Sequence, residues 1–184
     1  MTQLIGAERV RGDLLYHAFH GLFRVDEVIQ QRQPGGPVRC YSLVPQKADK
    51  SKTRFTVAVT GIGDSGFRAL VSLREAKEIL QYLGKRVVAA IPSRAVSKAG
   101  SSILQDNAWN LAQTLLSFSF EKPEAKDPRS RQKLERSVKG LVGELALVFN
   151  MTLKEAAAKV RKSLGAASRV NPSVLAALAH AGED

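Results

Sequence analysis

Residues Arg11–Val28, RGDLLYHAFHGLFRVDEV, limit the possible folds more than any other stretch, because they read as two short strands joined by a compact turn. Leu14 and Tyr16 alternate with Asp13, Leu15 and His17. After the turn, Phe23, Val25 and Val28 resume an apolar pattern around Arg24 and Asp26. Gly21 stands where the turn needs a residue tolerant of positive φ. A two-stranded ribbon alone is marginal in water, so further strands must cover it.

The next residues supply them. Candidate strands are Asp13–Tyr16, Leu22–Gln31, Arg39–Pro45, Arg54–Val59 and Arg68–Val71, with Gln33–Pro37, Gln46–Thr53 and Gly61–Gly66 between them as turns or charged loops. Five short strands predict a small twisted barrel. At Ser72 the signals change. Ser72 and Glu75 make a capping box for a helix that runs to about Leu83 and stops at Gly84. Asn107–Phe120 places Ala108, Leu111, Ala112, Leu115 and Leu116 on one helical face. Asp127-Pro128 pairs an N-cap with proline at the first helical position, and the helix it opens runs to near Asn150. Leu134, Val138, Leu141, Leu145 and Val148 give that helix one apolar stripe. Thr152–Glu155 is a second capping box, for a helix to Leu164, and Asn171-Pro172 starts a short last one. The predicted class is α+β, a β-barrel domain over residues 1–71 and a helical bundle over 72–184. An alternative boundary lies within Gly84–Gln105.

With 184 residues, each domain can bury a modest core. The net charge of +11 and pI near 10.1 favour a polyanionic partner, or else a solubilising surface, and the excess is shared almost equally by the two halves. The single cysteine, Cys40, fits a reducing compartment. The N-terminal MTQLIGAERVRGD lacks the order of a signal peptide, and no apolar run approaches the roughly 20 residues that span a bilayer. A cytoplasmic protein without a membrane partner is expected.

Catalytic chemistry is not expected. Gly61–Gly66 spells G-x-G-x-x-G, but a dinucleotide site needs a helix directly after it, and Phe67–Val71 reads as strand. A turn is the better reading. His17, His20 and His180 are the only histidines, and none has metal-ligand spacing with Cys40. No enzyme, cofactor or metal is predicted.

The Gly12-Asp13 pair, a strand, an aromatic-His-Gly turn and a second strand resemble the opening of the CarD/CdnL family of bacterial transcription regulators, whose module also occurs in the transcription-repair coupling factor. Leu141–Leu147, LVGELAL, resembles that family's C-terminal signature helix. The likeness covers roughly Val10 to Leu164 and is weakest between Arg86 and Asp127. It implies a Tudor-like barrel that docks on the β subunit of RNA polymerase by adding its sheet edge to a partner strand, a mode in which main-chain hydrogen bonds supply affinity. The matching positions are Gln31 and Arg32 at the end of the second strand, and Arg54, Thr56, Val57 and Ala58 in the fourth. Where the family has arginine in FTVAV, this chain has Ala58, and Arg54 would compensate only in part. Arg32 and Arg54 can also be read as solvated strand-end charges.

The resemblance further implies that the helical domain meets promoter DNA near the upstream fork, close to the nucleoid, with a tryptophan wedged in the minor groove. Trp109 is the one tryptophan, but it falls later than the family's wedge, and Pro92–Gln105, where the wedge should lie, has no aromatic residue. Trp109 is therefore a wedge or a core residue. Phosphate contacts are expected from Arg94 and Lys98, which share a face if Ser93–Ala99 is helical, and from Lys122, Lys126, Arg129, Arg131, Lys133 and Arg136 around the helix opening at Asp127. The amides at that helix N-terminus would add an anion site. Interleaved Glu121, Glu124, Asp127 and Glu135 leave a solvated face as the alternative. The expected function is modulation of open-complex stability by a monomer, without catalysis. Two other readings stay open: a protein–protein adaptor without DNA engagement, and a helix-turn-helix binder using Thr152–Leu178.

Overall fold

The structure is a computed structural model that describes residues 8–46, 54–85, 107–120, 127–165 and 170–183. The chain divides into two units, Met1–Ala69 and Leu70–Asp184.

In the first unit four antiparallel strands, β1 (Leu14–His17), β2 (Gly21–Gln33), β3 (Gly36–Pro45) and β4 (Phe55–Ala58), lie in chain order and curl into a half-barrel. The opening hairpin pairs Leu14 with Arg24 and His17 with Gly21, whose φ of 83° is the left-handed conformation that glycine allows. The β2–β3 hairpin is longer than the sequence pattern indicates. Its turn is only Pro34-Gly35, and Pro37 sits inside β3 opposite Arg32. Proline is tolerated there because β4 pairs with β3 from Cys40 to Leu43, so among the described residues no strand pairs with Pro37 on that side. A bulge between Val25 and Glu27 resets the β2–β3 register.

The predicted fifth strand is corrected. Arg68 makes a single bridge to Tyr16, closed by Tyr16 N–H to Arg68 O (2.7 Å) and the reverse bond (3.0 Å). Among the described residues no further ladder forms, because four residues past Arg68 the chain is already at the Ser72 cap that opens a helix. Among the described residues the sheet is therefore four-stranded and curled, not a closed five-stranded barrel. Its core is Leu15, Phe23, Val25, Tyr41, Leu43 and Phe67, with Phe55, Val57, Val59 and Ile62 packed against it. Phe23, Phe55 and Phe67 meet edge to face at 5.2–5.5 Å, a favoured aromatic geometry. Cys40 and Ser42 point to the opposite face and are also buried. Among the described residues the Ser42 hydroxyl has no hydrogen-bond partner.

The second unit has five described helices: α1 (Leu73–Leu83), α2 (Ala108–Phe120), α3 (Pro128–Phe149), α4 (Leu153–Leu164) and α5 (Pro172–Ala181). Their starts follow from local chemistry. Ser72 and Thr152 form complete capping boxes with Glu75 and Glu155, while Asp127 and Asn171 cap helices that begin with proline. The Thr152 N–H holds the Glu155 carboxyl below its ordinary pKa. α3 ends at Asn150 in the left-handed conformation (φ 51°). It packs against each of the other four helices, burying Leu134, Val138, Leu141 and Leu145. Val148, expected in the same stripe, is only half-buried.

Candidate interaction surfaces

Two surfaces carry the predicted contact residues, one in each unit. On the sheet, β4 pairs with β3 in the register Cys40–Ala58, Tyr41–Val57, Ser42–Thr56 and Leu43–Phe55. Among the described residues its other edge takes no strand, leaving main-chain donors and acceptors available for a partner. Thr56 is exposed, and Val57 and Ala58 are half-buried.

Register decides which predicted residues act together. Ala58 lies opposite Cys40, which lies opposite Ile29, so Ala58 shares one end of the sheet with exposed Gln31 and Arg32. Arg54 stands four residues back along the strand, about 13 Å at the usual strand rise. Its guanidinium is engaged there by Asp26 (3.0 Å) and Glu27 (3.2 Å) beside the β2 bulge. Arg54 therefore stands away from the end of the sheet that holds Ala58. Nothing in the local sequence announces this, because its partners lie 28 and 27 residues away.

The rim at the β1–β2 turn is aromatic. His17 lies 4.6 Å from His20 and 4.9 Å from Phe67, ring centre to ring centre, and its Nδ1 accepts the Phe19 N–H (3.2 Å). Burial, with the charges of His20 and Arg68, lowers its pKa to about 4. Gly66, at φ 80°, passes so close that a Cβ there would sit 2.8 Å from His17 Nε2. Gly61–Gly66 is a turn followed by the buried Phe67 and the bridging Arg68, with no helix to hold a phosphate. Among the described residues no group of three His, Cys, Asp or Glu is placed to hold a metal ion, and no helix is long and apolar enough to cross a membrane.

In the helical unit, Arg129, Lys133 and Arg136 are exposed and follow one face of α3 at three- and four-residue spacing. Arg131 is exposed but turned aside, its Nε bonded to Glu135 (2.8 Å). The anion site expected at the start of α3 is corrected: Asp127 already fills it, accepting the Arg129 N–H (3.2 Å) and the Ser130 N–H (3.3 Å). A helix capped by its own carboxylate offers those amides to no phosphate.

Trp109 is a core residue. It is 6% exposed within α2, its ring edge-on to Tyr82 at 5.8 Å. A wedge must present its ring to the groove, and this ring is enclosed. Arg94, Lys98, Lys122, Lys126 and the Pro92–Gln105 segment lie outside the described residues. No family model matches the chain, and no curated protein matches it.

Proposed function

We propose that this chain is a CarD-like regulator of transcription without enzymatic activity. Its first unit is a Tudor-like polymerase-interacting module that adds a strand of the RNA polymerase β subunit to the free edge of β4. Its basic helical unit meets promoter DNA near the upstream fork through Arg129, Lys133 and their neighbours. A protein that binds the open complex better than the closed one shifts the equilibrium between them. The observation that carries this reading is the unpaired β4 edge among the described residues, set in a sheet whose sequence has the family's opening pattern.

Pull-down of RNA polymerase by the purified chain tests it. Retention of polymerase is expected, with stronger retention by Ala58→Arg, which restores a cation at the end of the sheet shared with Gln31 and Arg32. Failure to retain polymerase overturns the assignment.

One set of observations favours a second reading, an adaptor that binds polymerase without engaging DNA. Trp109 is enclosed, Arg131 is ion-paired, and Asp127 fills the α3 amides. The salt dependence of binding to duplex DNA separates the two. Each phosphate contact adds about 0.9 to the log–log slope. Double reversal of Arg129 and Lys133 to Glu is therefore expected to flatten the slope by about 2. An unchanged slope, or no wild-type binding at low salt, favours the adaptor.

A further inference from the structure

Glu144 is the one polar residue inside LVGELAL, and neither proposed contact uses it. It is fully buried (0% exposed) on α3, within a turn of Leu141 and Leu145. A carboxylate is kept in such a place only when hydrogen bonds satisfy it. Its Oε1 accepts the Val71 N–H at 3.0 Å, across 73 residues of sequence. Val71 immediately precedes Ser72, whose hydroxyl and N–H form the capping box with Glu75 that starts α1. At its other end α1 places Tyr82 edge-on against Trp109 of α2.

We propose that Glu144 is a positioning latch: it fixes the lead-in residue Val71 on the central helix and so sets where α1 begins and how it docks on α2. The chemistry is specific. A backbone N–H just ahead of a helix N-cap has no acceptor within that helix, and here a buried side chain from a helix distant in sequence supplies one. A purely apolar residue of similar size would fill the space and leave the Val71 N–H without that acceptor. Glutamine would keep an oxygen at the same reach, so the latch depends on the acceptor atom and not on the charge. This inference is independent of whether the chain binds polymerase or DNA.

Residue-resolved hydrogen exchange on the full chain, in wild type, Glu144→Gln and Glu144→Ala, tests it. Glu144→Ala is expected to speed exchange of the Val71 amide and the first turn of α1 at least tenfold, while the amides of α4 and α5 change little. The same variant is expected to shift the emission of Trp109, the sole tryptophan, to the red as its contact with Tyr82 loosens. Glu144→Gln should keep both signals near wild type. Should Glu144→Ala fail to fold, Glu144→Asp, one methylene too short to reach, is measured in its place with the same expectation. Equal protection of Val71 in the shortened variant, a loss spread evenly over all five helices, or failure of Gln to rescue would each overturn the latch.

Discussion

The two units reach stability by different routes. In the sheet, the core joins residues far apart in sequence: Phe23, Phe55 and Phe67 meet from three separate stretches, with Leu15, Val25, Tyr41 and Leu43 in the same cluster. In the helices, each element is started by a side-chain cap lying two or three residues from the amide it serves, and the core is spread over many leucines and alanines. The first arrangement concentrates risk in a few side chains. The second distributes it.

Phe67→Ala tests this difference most severely. Removing a buried aromatic ring costs about 3–5 kcal/mol, comparable to much of the stability of a small domain. Because Phe67 touches Phe23, Phe55 and His17, its loss undercuts three further packing contacts. Hydrogen exchange is expected to lose protection throughout β1–β4 while α3 and α4 keep theirs. Leu116→Ala, at a fully buried site in α2, costs about 2–5 kcal/mol and should leave the sheet protected. If either substitution lowers protection equally in both units, the contrast between them is wrong.

The same difference explains what was legible in the sequence. Ser72, Asp127, Thr152 and Asn171 could be read as caps because each cap and the amides it bonds are near neighbours in the chain. The hairpin at Gly21 was legible for the same reason. The fate of Arg68–Val71 is not legible, because the segment has the composition of a strand whereas its pairing is a single bridge from Arg68 to Tyr16, 52 residues earlier in the chain. The length of β2–β3 was missed because Pro37 is a turn signal whose tolerance depends on an edge that only the assembled sheet defines. Of the contact residues, exposure of Gln31, Arg32, Arg129 and Lys133 accords with their charge or polarity. The capture of Arg54 by Asp26 and Glu27 depends on a bulge and a strand register, and the enclosure of Trp109 on a distant tyrosine. Neither leaves a local trace.

pH separates the units by a smaller and reversible effect. The folded-state pKa of His17, about 4, lies below its ordinary value of 6.5, so the folded chain binds this proton less readily than the unfolded one. The stability gained by keeping the ring neutral is whole above about 6.5 and is lost as pH falls toward about 4. Melting of the sheet unit should therefore drop over that interval, and His17→Asn should flatten the drop. The helical unit's β-free core contains no such histidine contact among its described ring pairs, so its melting should follow a different profile. A sheet whose melting temperature is level between these values would remove His17 from the account.

The finest comparison lies between two buried serines. Ser119 in α2 donates its hydroxyl to Leu115 O at 2.7 Å, whereas the Ser42 hydroxyl in β3 has no partner among the described residues. A typical hydrogen bond contributes about 0.5–1.5 kcal/mol net, while a buried polar group left unmade costs about 1–3 kcal/mol. Ser119→Ala loses a bond but gains alanine's helix preference, so a cost below ~1 kcal/mol is expected. Ser42→Ala removes an unsatisfied hydroxyl from a site already sealed by its neighbours, and the expected change is neutral to stabilising by up to ~1 kcal/mol. Denaturant midpoints at unchanged m-value read both. If Ser42→Ala proves the more costly of the two, its hydroxyl has a bonding role in solution, and the outer face of β3 is more polar than its packing implies.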